Sequence, residues 1–324
     1  MHLHLKILYH ANCFDGCVSA AVFSRFFAER EGPRLARTSY LGLQHRQGDP
    51  FPKGAFDADV NACVDFRFSA SPRLAWWFDH HASAFQPAAE KDIFLADASG
   101  QKFWDPGAPS CAGFMARVLA ERFGWSAPDL AELFRWTDII DSARFSSPSQ
   151  AVRLEEPALR IMTLLEATHE PGLPERLIES LRSRPLSEIA AEPWVVEALR
   201  PILERHFRSI ETVKKLARLE DGVVEIDLSE SGIDGANKFI AYDLFPQARY
   251  TVVVSRDTRR SKVSVGFNPW ANTPRTHDIA RICERYGGGG HPVVGGISLD
   301  PERILDARRF AREIATVLRD ERAP

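Results

Sequence analysis

Leu74-Ala75-Trp76-Trp77-Phe78-Asp79-His80-His81, an apolar run that ends in a carboxylate and two imidazoles, is the stretch on which the fold turns. Five apolar residues in a row read as a short buried strand, so the polar triplet falls where that strand ends and a loop begins. In open α/β sheets ligands collect outside the carboxyl ends of the strands. One carboxylate and two imidazoles there suit a metal ion, because each is available in its ligating form near neutral pH. Read alone, the triplet is equally well an exposed polar turn. Matching clusters elsewhere in the chain tell against that.

Working outward, Leu3, Leu5, Ile7 and Tyr9 alternate with polar residues and predict a first strand that stops at His10. The turn H-A-N-C-F-D-G follows, and Ser19 to Arg30 has helical spacing, which opens a βαβ unit. Arg37 to Leu41 and Val60 to Phe66 read as the next strands, with Asp65 near the end of the latter, and Ile93 to Ala96 as a fifth strand. Helices are expected over Pro109 to Phe123 and Pro128 to Ile140. From Pro148 to Leu219 the chain is helical and charged.

A second α/β section follows. Its expected strands are Val223 to Leu228, Tyr250 to Ser255, Lys262 to Phe267 and Gly296 to Leu299. Its expected helices are Gly235 to Leu244, Thr276 to Tyr286 and Pro301 to Arg319, with a loop at Gly287–His291. The predicted fold class is α/β: a parallel-sheet N-terminal domain over 1–185, a helical linker over 186–219, and a smaller α/β domain over 220–324, with a cleft between the domains.

Composition sets broad limits. The chain has 324 residues, 44% hydrophobic and 26% charged, as in an ordinary soluble protein. A net charge of −3 argues against wrapping long duplex DNA with a basic face, though not against gripping a short nucleotide at one site. No run of about 18 apolar residues occurs, so no membrane span is expected. Five scattered cysteines fit reduced thiols, and a cytoplasmic location is expected. Homodimerisation is left open.

His10 and Asp15 share one strand-to-helix turn, Asp65 ends another strand, and His80 a third; Asp141 follows a helix, with Asp138 one turn earlier as its rival. Oxygen and imidazole donors without thiolate suit Mn²⁺, Mg²⁺ or Fe²⁺ better than a cysteine-rich structural zinc site. Any one of these acids alone is better read as solvated surface or a helix cap. Further on, Gly288, Gly289 and Gly290 can take φ > 0 and let backbone N–H groups cradle a phosphate, with His291 as an added donor. The bland alternative is a flexible turn. Arg256, Arg259, Arg260 and Lys262 make a basic turn that could guide a nucleotide tail but more commonly is just solvated. His45 and the other histidines show no defensible pattern.

These segments, in order, resemble the DHH phosphoesterase superfamily of RecJ-like exonucleases, nano-RNA and pAp phosphatases and family II pyrophosphatases. The matching motifs are H-A-N-C-F-D-G-C-V-S, V-D-F, D-H-H and I-I-D-S-A-R-F, then G-A-N-K-F-I-A-Y-D-L-F-P, T-V-V-V-S and D-I-A-R-I-C-E-R-Y-G-G-G-G-H-P-V-V-G-G. The distal part looks like the DHH-associated substrate-binding domain. The resemblance implies that His10, Asp15 and Asp65 hold one cation, while Asp65, His80 and Asp141 help hold a second. It implies Mn²⁺, with Mg²⁺ or Co²⁺ as alternatives, as one or two ions. Asp79 would orient a histidine and His81 would lie by the scissile phosphate, with Asn268 near substrate.

One departure matters. The family motif carries a second aspartate two residues after the first, where this chain has Cys17. Cys17 is better read as a buried thiol than as a ligand. The expected activity is hydrolysis of short oligonucleotides or small nucleotides such as nano-RNA, pAp or linear dinucleotides. A polyphosphate or pyrophosphate hydrolase and a catalytically weak nucleotide-binding regulator are the rivals, and a repair exonuclease is a third.

Overall fold

In a computed structural model that describes residues 2–46, 48–233 and 236–320, β1 (Leu3–His10) lies between β2 (Leu35–Leu43) and β3 (Val60–Val64). Strands β4 (Leu74–Asp79) and β5 (Lys102–Trp104) continue the sheet beyond β3. Every ladder in it is parallel, so all five strands point their carboxyl ends the same way. Parallel sheets must be covered on both faces, and the sequence of β4 shows how. Trp76 packs on Phe23, Phe26 and Phe123, whereas its neighbour Trp77 packs on Phe68, Phe85 and Phe94 across the sheet. Trp77 donates its indole N–H to the Phe66 carbonyl at 2.8 Å, which allows full burial of the ring.

Helix α1 (Phe14–Glu31) covers one face and is buried nearly all round. The helices α3 (Cys111–Phe123), α4 (Ala131–Asp141), α6 (Pro157–Ala167) and α7 (Leu173–Leu181) pack against it. Its start is pressed against the end of β1: a Cβ on Gly16 would lie 2.2 Å from the His10 carbonyl oxygen. Only glycine allows that approach, and it holds the first turn of α1 beside the last residue of β1.

One expected strand is corrected. Ile93 to Ala96 lies largely in α2 (Ala88–Leu95), not in the sheet, where β5 takes the fifth place. Phe94 faces Phe68, Phe85 and Trp77 while Ile93 and Leu95 are exposed. One partly buried residue flanked by two exposed apolar ones mimics strand alternation. Short apolar runs cannot be assigned by periodicity alone.

Contacts divide the chain into one unit of Met1–Phe145 with Glu155–Arg200, and a second of Ser146–Leu154 with Pro201–Pro324. The division falls inside the long helix α9 (Pro193–Leu216), at Pro201, within the segment that reads as a linker. A short helix α5 (Pro148–Arg153) counts with the second unit, and α8 (Leu186–Ala190) with the first.

The second unit holds a mixed sheet of six strands, in the order β10-β11-β9-β8-β7-β6. These are β6 (Arg218–Glu220), β7 (Val223–Asp227), β8 (Tyr250–Arg256), β9 (Ser261–Phe267), β10 (Gly289–His291) and β11 (Val294–Leu299). Val252, Val254, Val263, Val265 and Ile297 form a core with α11 (Ile279–Glu284) and α12 (Ile304–Arg319). On the other side Val224 and Ile226 pack on Val213 and on Ile240 of α10 (Ile240–Leu244). The expected start of that helix at Gly235 lies outside the described residues, and the helix observed begins at Ile240.

The glycine segment is also corrected. Gly289–His291 is an edge strand paired antiparallel with Val294–Gly296, not an open loop. Gly290 has φ +153°, and a Cβ there would meet the Val294 carbonyl oxygen at 2.2 Å. Gly288, whose Cβ would lie 2.3 Å from the Gly296 carbonyl oxygen, and Gly290 therefore have a packing cause within the hairpin.

Gly16→Ala is expected to destabilise the protein by about 1–3 kcal/mol through overpacking, measured as a lowered urea midpoint. An unchanged midpoint would mean that the β1–α1 junction relaxes freely.

Candidate metal centre

The carboxyl ends of the parallel strands gather the charge-bearing side chains. His10 is the last residue of β1, Asp65 directly follows β3, and Asp79 ends β4, with His80 and His81 next. Asp15 lies in the first turn of α1 and Asp141 is the last residue of α4. The sequence places these residues far apart, and the fold makes them neighbours.

Asp65 is the pivot. It sits in the left-handed region at φ +54°, which aspartate tolerates better than most residues, and its N–H donates to the Phe78 carbonyl at 2.9 Å. The residue is 1% exposed, yet neither carboxylate oxygen has a hydrogen-bond partner among the described residues. Oδ1 lies 3.5 Å from His80 Nε2, and Oδ2 lies 3.5 Å from His10 Nδ1. His80 Nε2 is also 3.6 Å from Asp15 Oδ2 and 3.4 Å from Asp141 Oδ2. These separations are long for hydrogen bonds. They match the edges of a coordination polyhedron, since donors about 2.1 Å from one ion stand about 3.0–3.4 Å apart. Buried, unpaired lone pairs at that spacing fit a divalent cation.

The surrounding bonds orient each donor. His80 turns Nδ1 to the Ala108 carbonyl at 3.0 Å, which leaves the Nε2 lone pair for the nest. Asp15 accepts N–H bonds from Cys111 at 2.6 Å and Ala112 at 2.9 Å, at the start of α3. The two N–H groups fix its direction and offset its charge. Asp79 accepts from the backbone N–H of His80 and His81, and from His81 Nδ1 at 2.7 Å. It therefore orients His81, whose side chain is 31% exposed, rather than His80, whose side chain is 9% exposed. His81 is open to an incoming ligand and His80 is enclosed.

Electrostatics follow from this crowding. Burial and the carboxylates of Asp65 and Asp141 push the Asp15 carboxyl well above its usual range. Burial and Asp65 also raise the Asp141 carboxyl. Asp65 itself is held down to about 2, because the imidazoles of His10, His80 and His81 outweigh its burial. Burial opposes charge on His80, but Asp65, Asp15 and the Ala108 carbonyl push it up to about 10. The hydrogen bond to Asp79 raises His81.

Several expectations are resolved here. Asp138, the rival of Asp141, accepts from Ser110 Oγ at 2.5 Å and abuts Gly113, so it braces α3 against α4. Asn268 is corrected: it is 1% exposed, its amide donates to the Ala248 carbonyl and its Oδ1 accepts from the Trp270 N–H. Those bonds leave it a turn brace with no face toward a ligand. Gly288, Gly289, Gly290, His291 and Arg256 all belong to the second unit, with His291 and Arg256 exposed. Cys17 is fully buried and joins none of the donor groups among the described residues.

The donor atoms that lie within 4.8 Å of one another form several overlapping groups, one of them Asp65 with His80 and His81. Asp15 groups with His80 and Asp141, whereas Cys13 groups with His10 and Asp65. The cause is local. Cys13 is the N-cap residue of α1 and Asp15 lies in its first turn, where the start of α3 holds it. Sequence reasoning missed Cys13 and also His45, which lies within reach of His10 and His81 and stacks on Phe66 at 4.7 Å. His45 stands two residues past the end of β2. Applying the strand-end rule to β2 would have found it.

Comparisons come next. No protein-family model matches the chain, and no curated protein does either. Among solved structures, a pGpG-specific phosphodiesterase, PggH from Vibrio cholerae, matches 98% of this chain and 99% of its own, with TM-score 0.70 and 21% identity. RecJ from Thermus thermophilus in complex with Mn²⁺ matches 97% of this chain and 52% of its own, with TM-score 0.56 and 16% identity. The DHH domain of a member of the s1p family of ribosomal proteins matches 97% and 87%, with TM-score 0.55 and 13% identity. The chain has the fold of the DHH phosphoesterase superfamily.

Two outcomes test the centre. Asp15, Asp141 and His80 hold protons more tightly folded than unfolded, so the stability they give the metal-free protein is lost as pH rises from about 4 toward about 10. Asp65 works in the opposite sense, but only below about pH 4. A divalent cation takes the place of those protons. Mn²⁺ should therefore raise Tm more at about pH 8 than at about pH 6; equal shifts would count against this centre. Asp141→Asn should weaken Mn²⁺ binding by calorimetry, while Asp138→Asn should leave it near wild type and lower Tm.

Proposed function

We propose that the chain is a divalent-metal-dependent phosphodiesterase acting on short linear dinucleotides or similarly small nucleotides. The observation that carries this reading is the Asp65 carboxylate, buried without a partner and facing imidazoles on two sides, among five further donors at the strand ends. Support for the substrate class comes from PggH, a pGpG-specific phosphodiesterase that matches over nearly the full length of both chains. The RecJ structures with Mn²⁺ or Mg²⁺ support the class of cation. No helix among the described residues is long and apolar enough to cross a membrane. A cytoplasmic location is part of the proposal, supported by five cysteines that are all free thiols.

His10, Asp15, Asp65, His80 and Asp141 would hold the metal. Bound divalent cations supply an activated water near neutral pH and offset charge on the phosphoryl oxygens. The remaining work falls to the side chains. Asp79 accepts a hydrogen bond from His81 Nδ1, which leaves Nε2 as the nitrogen that would donate a proton to the leaving oxygen. Within the second unit, Gly288, Gly289, Gly290, His291 and Arg256 are the residues proposed to bind substrate.

The test is a panel of pGpG, other linear dinucleotides, pAp, pyrophosphate and a long labelled single strand, each with Mn²⁺, Mg²⁺ or Co²⁺. Cleavage of pGpG to GMP well ahead of pyrophosphate is the expected result. Preference for pyrophosphate would give the reading to the rival hydrolase, and tight binding without turnover would make the protein a nucleotide-binding regulator. Within the active protein, His81→Ala should lower kcat by about 10²–10⁴-fold with metal content unchanged. A loss of bound metal in that variant would move His81 into the coordination shell.

A further inference from the structure

The motif residue that changes chemistry is Cys13, not Cys17. Its Sγ, a His10 ring nitrogen and an Asp65 carboxylate oxygen all lie within 4.8 Å of one another. Cys13 is half-buried, and although it occupies the N-cap position of α1, its side chain makes no capping bond. The second observation is independent of the thiol: Asp65, 1% exposed, and buried His10 Nδ1 both aim unpartnered atoms into the same space. On the other side of Asp65, Asp15, His80 and Asp141 present mainly oxygen. One carboxylate thus separates two donor sets of different softness.

We propose that Cys13 is a metal-ligating thiolate, and that the His10–Cys13–Asp65 position takes a thiophilic divalent cation of the Zn²⁺, Co²⁺ or Fe²⁺ class. The Asp15–Asp65–His80–Asp141 position takes Mn²⁺ or Mg²⁺, so the centre is mixed. Thiolate and imidazole donors select the softer ions, and carboxylate-rich sites the harder ones. The thiol proton is released to solvent as the sulfur–metal bond forms. Cys17 has no share in this, being sealed in the core of α1. The inference rests on reading the nest as a metal centre, and its test separates the two.

The full chain, stripped of metal, is titrated with Co²⁺ while the near-ultraviolet thiolate-to-cobalt charge-transfer band and the bound stoichiometry are followed together. Wild type and Cys17→Ala should develop the band. Cys13→Ser should lose it, together with one equivalent of cobalt and at least about tenfold in Zn²⁺ affinity. Cys13→Asp should recover the lost equivalent without the band and shift preference from Zn²⁺ to Mn²⁺. That variant also guards against a Cys13→Ser protein that merely misfolds. Two bound cobalt ions with no band in wild type, or a band that survives Cys13→Ser, overturns the role of Cys13 and leaves the metal centre standing. Failure of wild type to bind Co²⁺ at all overturns both.

Discussion

Three carboxylates, those of Asp15, Asp65 and Asp141, converge on one imidazole at the end of a parallel sheet, and the cost of that crowding shapes everything near it. Buried like charges repel strongly where water cannot screen them. The fold meets the cost in separate ways. Asp15 is placed against the first N–H groups of α3, Asp65 is ringed by imidazoles, and Asp141 is left partly open to solvent. What remains uncompensated are lone pairs on Asp65, and the proposed divalent cation would satisfy them.

The rest of the first unit serves this convergence. A parallel sheet aligns every strand's carboxyl end, so residues distant in sequence arrive at one edge without any special loop. The tight junction between β1 and α1, possible because residue 16 is glycine, sets Cys13 and Asp15 on two sides of Asp65. Trp77 makes a comparable contribution from the core, because its indole bond to the Phe66 carbonyl ties β4 to the segment that carries Asp65. Core packing and ligand placement share the same residues here.

Much of this was legible in the sequence because strand ends and polar triplets are local signals. The β1 turn, Asp65 after β3, the D-H-H triplet after β4 and Asp141 were all readable from an apolar run that stops at a polar residue. What escaped depended on contacts that one sequence does not display. Ile93 and Leu95 read as a strand because exposed apolar residues flank a partly buried Phe94. Asn268 read as a ligand contact because nothing in the sequence reveals that its amide is consumed within a turn. His45 lacked a local partner, since its neighbours His10 and His81 lie on other strands. The glycine run read as a phosphate cradle, and steric need in the hairpin accounts for at least Gly290 before any ligand is considered.

The omission of Cys13 has a more general cause. A helix starting at Phe14 turns successive side chains by about 100°, so residues two apart at its N-terminus face different ways. Cys13 and Asp15 therefore fall in different donor groups, although the turn that carries both reads as offering only His10 and Asp15. A carboxylate that faces His10 with one oxygen and His80 with the other joins the groups that the helix has separated. Glutamate at position 65 would carry its oxygens about one bond farther and lose the short reach that a residue directly after β3 provides. Asparagine would replace one of the two lone-pair faces with an N–H donor aimed at an imidazole. Only aspartate presents equivalent oxygens to both sides at this distance from the sheet, and the left-handed backbone at Asp65 is the conformation that turns it there.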